Sequence, residues 1–97
     1  MQNVERIKKI LKNHKKELED KYYVTNIALF GSYAKGSQTL ESDIDILVEF
    51  KKPITLIHFI KLENYLSDLL GAKVDLVMKN SLKPYIKKQV LKEAIQL

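Results

Sequence analysis

The sequence predicts a small α/β fold of the α+β kind: one three-stranded mixed sheet with helices packed on one face. Three observations predict it. The chain has 97 residues, enough for one modest core and so for a single domain over residues 1–97. Its apolar residues change period along the chain, giving the order helix, strand, strand, helix, strand, helix. Three short strands cannot cover both faces of a large sheet, so helices on one side are the economical arrangement.

Residues 2–21 place Val4, Ile7, Ile10, Leu11 and Leu18 at the three-and-four spacing of an amphipathic helix. Its solvated face carries Lys8, Lys9, Lys12, Lys15, Lys16 and Glu19. His14 falls beside the apolar stripe, with no second histidine or acid at a metal-binding spacing, so it reads as a rim residue. Residues 24–30, VTNIALF, read as a strand that Gly31 ends. Residues 32–42 hold Gly36 and the hydroxyls of Ser32, Ser37, Thr39 and Ser42, and read as a polar loop with room for one helical turn. Residues 43–50, DIDILVEF, form the second strand, broken by Lys51-Lys52-Pro53. A helix over 55–70 is built on Leu56, Phe59, Ile60, Leu62, Leu66, Leu69 and Leu70 and stops at Gly71; His58 sits at its core edge. Residues 73–78, KVDLVM, form the third strand. The last helix spans 81–95, capped by Ser81 or Asn80 with Pro84 in its first turn. No repeat, low-complexity tract or linker interrupts this order.

Seventeen basic residues against twelve acidic ones leave a net charge of +5, which suits an anionic partner. The tyrosines are scattered rather than interleaved with lysines in a single-strand-binding pattern, so direct nucleic-acid binding is not expected. There is no cysteine, which excludes disulfides and thiolate metal sites. The charged start MQNVERIKKILK does not read as a signal peptide, and no apolar run approaches the ~20 residues that span a bilayer. A cytoplasmic protein without membrane contact is expected.

The chemistry concentrates in Leu29–Glu49. Side chains alternate along a strand, so Asp43, Asp45, Leu47 and Glu49 share one face. Ile44, Ile46, Val48 and Phe50 take the other, which should meet the helices and leave the acids on the open surface. Asp43 and Asp45 stand about 6.5–7 Å apart along the strand, near enough to converge on one ion. Aspartate is a poor strand residue, so Asp75 inside KVDLVM needs a reason. If its strand lies beside the second, three carboxylates meet on one patch and repel. A divalent cation removes that conflict, and oxygen-only ligands favour Mg²⁺ or Mn²⁺ over zinc. Two such ions support in-line displacement at phosphorus. Gly31-Ser32 lets the backbone approach a phosphate and adds a hydroxyl donor. A lone Gly-Ser is an everyday turn, and an Asp-x-Asp pair also caps turns or sits in calcium loops. A calcium loop fails here because apolar Ile44, Ile46 and Leu47 stand where it needs oxygens and a glycine. The conjunction of glycine-serine, paired acids and Asp75 favours a site for metal ions and a nucleoside triphosphate.

Gly31-Ser32, ten residues, then Asp43-Ile44-Asp45 resembles the signature of the DNA polymerase β-like nucleotidyltransferases. With FGSYAKG, SDIDILVEF, GAKVDLV and SLKPYIKKQVLKEAI, nearly the whole chain is similar to the minimal nucleotidyltransferase (MNT) domain, the antitoxin of HEPN/MNT toxin–antitoxin pairs. The resemblance implies a nucleotidyltransferase-like fold in which Gly31 and Ser32 hold the triphosphate. It implies that Asp43, Asp45 and Asp75 bind two Mg²⁺ ions, Mn²⁺ being an acceptable substitute, and that Asp75 helps deprotonate the acceptor hydroxyl. The implied reaction is attack on the α-phosphate of ATP, transfer of AMP and release of pyrophosphate. Lys35 stands where the family often has arginine; lysine keeps the charge but lacks the bidentate fork. The implied acceptor is a HEPN-type RNase toxin, modified on a tyrosine hydroxyl.

Within these 97 residues nothing after the third strand could build an acceptor-binding domain, so a protein acceptor bringing its own surface is expected. The last helix carries Lys83, Lys87, Lys88 and Lys92 around Tyr85 and Ile86, a solvated face or a docking surface. Two alternatives stand beside protein adenylylation: a binding module that neutralises its toxin by occlusion alone, and a nucleotidyltransferase for a small molecule or nucleic-acid end.

Overall fold

The structure, a computed structural model, describes residues 3–36 and 43–97. Ser37, Thr39 and Ser42 of the expected polar loop lie outside the described residues. The chain opens with helices α1 (Val4–Asn13) and α2 (Lys15–Tyr22), then strand β1 (Val24–Phe30) and the one-turn helix α3 (Ser32–Lys35). Strand β2 (Ile44–Phe50), helix α4 (Leu56–Leu70) and strand β3 (Val74–Met78) follow. A short 3-10 turn (Lys79–Ser81), helix α5 (Pro84–Glu93) and strand β4 (Ile95–Gln96) complete it.

The sheet order is β3-β2-β1-β4. β1 runs antiparallel to both β2 and β4, while β2 and β3 are parallel, joined through α4. The sheet is therefore mixed, as expected, but has four strands rather than three. Two residues, Ile95 and Gln96, make the fourth by pairing with Leu29 and Ala28. So short a strand leaves no periodicity to read.

One face of the sheet makes the core. Ile44, Ile46 and Val48 of β2 meet Leu62, Leu66 and Leu70 of α4 and Ile7 and Leu11 of α1, all essentially inaccessible to solvent. Burying each such side chain is worth roughly 1.5–3 kcal/mol. Thr55 caps α4 by accepting from the His58 N–H at 3.1 Å, and Gly71 closes it in the left-handed conformation at φ 66°. Leu56 and Ile60 depart from the expected stripe: they are 73% and 45% exposed, because seven apolar positions cover more of α4 than the sheet can face.

The first expected helix is two. His14 (φ −110°, ψ 12°) interrupts it, and its ring Nδ1 lies 2.8 Å from the Ile10 carbonyl. Leu11 and Leu18, on either side of the break, are both in the core. α5 starts at Pro84 rather than at residue 81. Proline pushes the preceding residue into extended backbone, and Lys83 takes ψ 146° there. Ser81 is not its cap; the hydroxyl donates to the Met78 carbonyl at 2.7 Å.

β3 is an edge strand with its outward N–H groups closed by α4. The Val74 N–H donates to Ser67 Oγ and the Leu76 N–H to Glu63 Oε2, each at 3.0 Å. These side chains satisfy groups that would otherwise offer a template to another strand. Among the described residues no helix is long and apolar enough to cross a membrane.

Candidate active site

The parallel pairing of β2 with β3 decides the site. Asp45 and Asp75 are register partners, so two carboxylates sit side by side on adjacent strands. Neighbouring strands are ~4.8 Å apart, close enough for the side chains to interact directly. Asp43 immediately precedes β2, two residues before Asp45 on the same face. All three project from the face opposite the α1–α2–α4 core, while Ile44, Ile46, Val74 and Leu76 between them are buried in it.

On the other side of β2, Phe30 is the partner of Asp45 and is followed by Gly31. Gly31 adopts φ 70° and ψ −145°, a conformation that side chains oppose. A Cβ at position 31 would meet Asp45 Oδ2 and stand 2.9 Å from Asp45 Cγ. The absent side chain is thus what lets the Asp45 carboxylate lie against the backbone. Ser32 follows directly and opens α3.

The electrostatics follow from this crowding. The Asp45 carboxyl is raised above its ordinary pKa, first by partial burial, then by the charges of Asp75 and Asp43, with a hydrogen bond to Asp75 adding to it. Asp43 is half exposed and turned toward Lys73, with Nζ to Oδ2 at 3.7 Å. As placed, the described residues contain no group of three His, Cys, Asp or Glu side chains that could hold an ion. Asp43 faces Lys73 in an exposed ion pair worth at most ~1 kcal/mol, and Asp75 is open to solvent. The donor chemistry fits a hard divalent cation: three carboxylates, one of them held protonation-prone by burial and by the charges of the other two, and a glycine that leaves room beside it.

The remaining candidates separate cleanly. Glu49, on the same strand face, lies beyond buried Leu47 and is bound to Lys79 Nζ at 3.0 Å. Lys35 is exposed and pairs with Glu93 of α5 at 3.5 Å, which ties α3 to α5. The His58 ring nitrogen Nε2 lies 3.1 Å from the Tyr22 carbonyl and its ring stacks on Tyr23, so it serves packing, as expected. On the acid face, Ala28 pairs with Leu47, and both are buried outside the main core cluster. Leu91 of α5 lines a small cleft with them. That partial covering by α5 was not foreseen, since Leu47 read only as a neighbour of the acids.

A family model for the nucleotidyltransferase domain matches residues 11–97. The chain belongs to that family. It is 54% identical over 98 residues to a candidate protein adenylyltransferase of Methanocaldococcus jannaschii, spanning 100% of both chains. It is 50% identical over 95 residues to the protein adenylyltransferase MntA of Thermococcus cleftensis, covering 98% of this chain and 96% of the relative. Among solved structures, a candidate minimal nucleotidyltransferase superposes with a TM-score of 0.78 at 33% identity, over 99% of this chain and 97% of that one. A toxin–antitoxin structure with AMP-PNP gives 0.71 at 32% identity, covering 88% and 70%. The MNT antitoxin in complex with tri-AMPylated Shewanella oneidensis HEPN toxin gives 0.64 at 28%, covering 91% and 69%. The chain is a nucleotidyltransferase of the minimal, MNT type.

Proposed function

We propose that this protein transfers AMP from ATP to a tyrosine hydroxyl of a HEPN-domain toxin, with Mg²⁺ as cofactor, and thereby acts as that toxin's antitoxin in the cytoplasm. The observation that carries the reading is the register pairing of Asp45 with Asp75 beside Gly31. It concentrates negative charge next to a backbone that a phosphate can approach. Support comes from the T. cleftensis relative, named a protein adenylyltransferase, and from the neighbouring antitoxin found with an AMPylated HEPN toxin.

In this reading Gly31 and Ser32 hold the triphosphate, and Asp43, Asp45 and Asp75 hold two Mg²⁺ ions, Mn²⁺ being able to replace them. When bound, the ions neutralise phosphate charge and favour ionisation of the attacking hydroxyl. Asp43 leaves Lys73 to complete the ligand set, a small cost for an exposed pair. Asp75, the most open of the three strand-borne acids, faces the acceptor. It takes the proton of the tyrosine hydroxyl as that oxygen bonds to the α-phosphorus. The bond from the α-phosphorus to the bridging oxygen breaks, and pyrophosphate leaves. Asp45, pinned between Gly31 and Asp75, fixes the position around which the others close.

The test is mass spectrometry of a HEPN-domain protein from the same genome after co-expression with the wild-type chain and with Asp43→Ala/Asp45→Ala. An AMP-sized mass gain that the variant abolishes is expected. No gain with the wild type, with the two proteins still bound, would replace the enzymatic reading by occlusion.

A further inference from the structure

The two edges of the sheet are finished differently. On β3, Ser67 and Glu63 accept the outward N–H groups of Val74 and Leu76. On the far side β4 pairs only with Ala28 and Leu29, and the Leu97 N–H donates to the Ile27 carbonyl at 3.0 Å. Among the described residues no strand lies beside Val24, Thr25 and Asn26 on that side. Thr25 lacks a partner in β2 as well, because the β1–β2 register shifts between Val24 and Asn26. Such a bulge leaves the extra residue outside the ladder. Sheet edges are commonly blunted by charge or proline on the strand itself, and here the strand offers threonine, asparagine and isoleucine.

A hollow of about 440 Å³ opens along this stretch, between it and helices α1 and α2. Leu11, Leu18, Val24 and Ile27 supply its apolar lining. Lys8, Lys12 and Lys15 border it from the helices, against a single acid, Glu19. Lys8 and Lys12 are one helical turn apart and so share a face of α1. These lysines stand on the helix layer and not on the strand. They leave the backbone edge open and surround it with positive potential.

We infer that the open end of β1 is a docking site for an extended, acidic segment of another protein. The segment adds a short strand beside Val24–Asn26, places an apolar side chain in the hollow over Leu11 and Leu18, and turns its acids toward Lys8, Lys12 and Lys15. In strand addition the main-chain hydrogen bonds give affinity, and the pockets met by alternate side chains give specificity. An extended polypeptide is the occupant that uses the open edge, the apolar lining and the lysines at once. A small anion would engage the lysines and leave the edge unpaired. A second copy of this chain, added edge to edge, would bring two sets of the same lysines together on a protein of net charge +5. Thr25 lies five residues from Phe30, the register partner of Asp45, or roughly 17 Å along an extended strand. Docking there leaves the carboxylates open, so the inference does not depend on the adenylylation reading.

The experiment titrates three capped peptides into the isotope-labelled full chain. One alternates glutamate and valine, one alternates lysine and valine, and the third is the acidic peptide N-methylated along one edge. Octanoate serves as a small anion with an apolar body. The amide NMR signals of residues 24–27 are followed in wild type and in Lys8→Gln/Lys12→Gln. Glutamine forms helix about as well as lysine, so the variant keeps α1. The acidic peptide is expected to shift these signals, and the other two peptides to bind at least about tenfold more weakly. The double variant is expected to bind the acidic peptide about threefold more weakly or worse. No shift at millimolar acidic peptide, or equal binding of the lysine peptide, would overturn the inference. Equal binding of the N-methylated peptide would show that side chains alone are held and no strand is added, which also overturns it. If octanoate shifts the same signals at lower concentration than the acidic peptide, the hollow is a small-molecule site and the inference fails.

Discussion

The Asp45 carboxylate occupies the space that a side chain at position 31 would need. A Cβ on Gly31 would meet its Oδ2, and the backbone there already sits at φ 70°. Gly31→Ala therefore carries two penalties. Backbone strain in this region costs about 1–3 kcal/mol, and the displaced carboxylate no longer lies between Gly31 and Asp75. The variant is expected to fold with reduced stability in urea and to lose transfer activity by more than its unfolded fraction explains. Activity per folded molecule equal to wild type would show that the cradle is not needed.

Asp45 also works against the stability of the fold at neutral pH. Its carboxyl is raised by burial and by Asp75 and Asp43, so folding favours the protonated form. The sign follows: the favourable contribution is complete below the ordinary 3.8 and is lost as pH rises through the raised folded value. At neutral pH the protein without cation bears the full repulsion. Asp45→Asn should thus raise the melting temperature at neutral pH, with the gain shrinking as the pH falls through the raised folded value and gone below 3.8. Transfer activity should fall more than about 100-fold, beyond the 10–100-fold typical of outer partners of metal ligands. An Asp45→Asn melting temperature below wild type at neutral pH would contradict the electrostatic account.

The same repulsion predicts the response to divalent cations. Mg²⁺ with ATP should raise the melting temperature of the wild type, a ligand at 100 times its dissociation constant adding ~2.7 kcal/mol. The increase should vanish with a chelator and in Asp43→Ala/Asp45→Ala. A cation-independent increase with ATP alone would place nucleotide binding outside the carboxylates.

What could be read in advance follows a physical line. Asp75 betrayed itself as an acid inside an apolar strand, and Asp43-Ile44-Asp45 as acids alternating with buried residues; both imply a strand with one wet face. The parallel register that makes Asp45 and Asp75 neighbours is a long-range fact, fixed by α4 crossing between the strands and by no local signal. Boundary errors arose where tertiary contacts override periodicity. His14 breaks a stripe that looks continuous, and Pro84 moves a helix start that Ser81 seemed to mark. The pairing of Ile95 with Leu29 is invisible in a two-residue strand. Leu56 and Ile60 were legible as apolar but not as exposed, because the width of the sheet they would have to face is set only by the assembled fold.

Glu63 gives the last prediction, because it satisfies the edge of the sheet from α4. Its carboxylate accepts the outward Leu76 N–H at 3.0 Å and so finishes the edge of β3 with a side chain. Hydrogen bonds to charged groups contribute about 1.5–3 kcal/mol, and solvent can partly replace this one at the sheet margin. Glu63→Ala should therefore lower stability by roughly 1–2 kcal/mol. Its signature should be local as well as global: faster amide exchange at Leu76 than at centrally placed Ile46. Glu63→Gln, which keeps an acceptor oxygen, should recover most of the loss. Because an open edge invites strand addition, Glu63→Ala should also self-associate at concentrations where Glu63→Gln does not, as sedimentation would report. Equal sedimentation of the two variants, with Leu76 exchange unchanged, would mean that the edge is guarded by the bulk of α4 and not by this carboxylate.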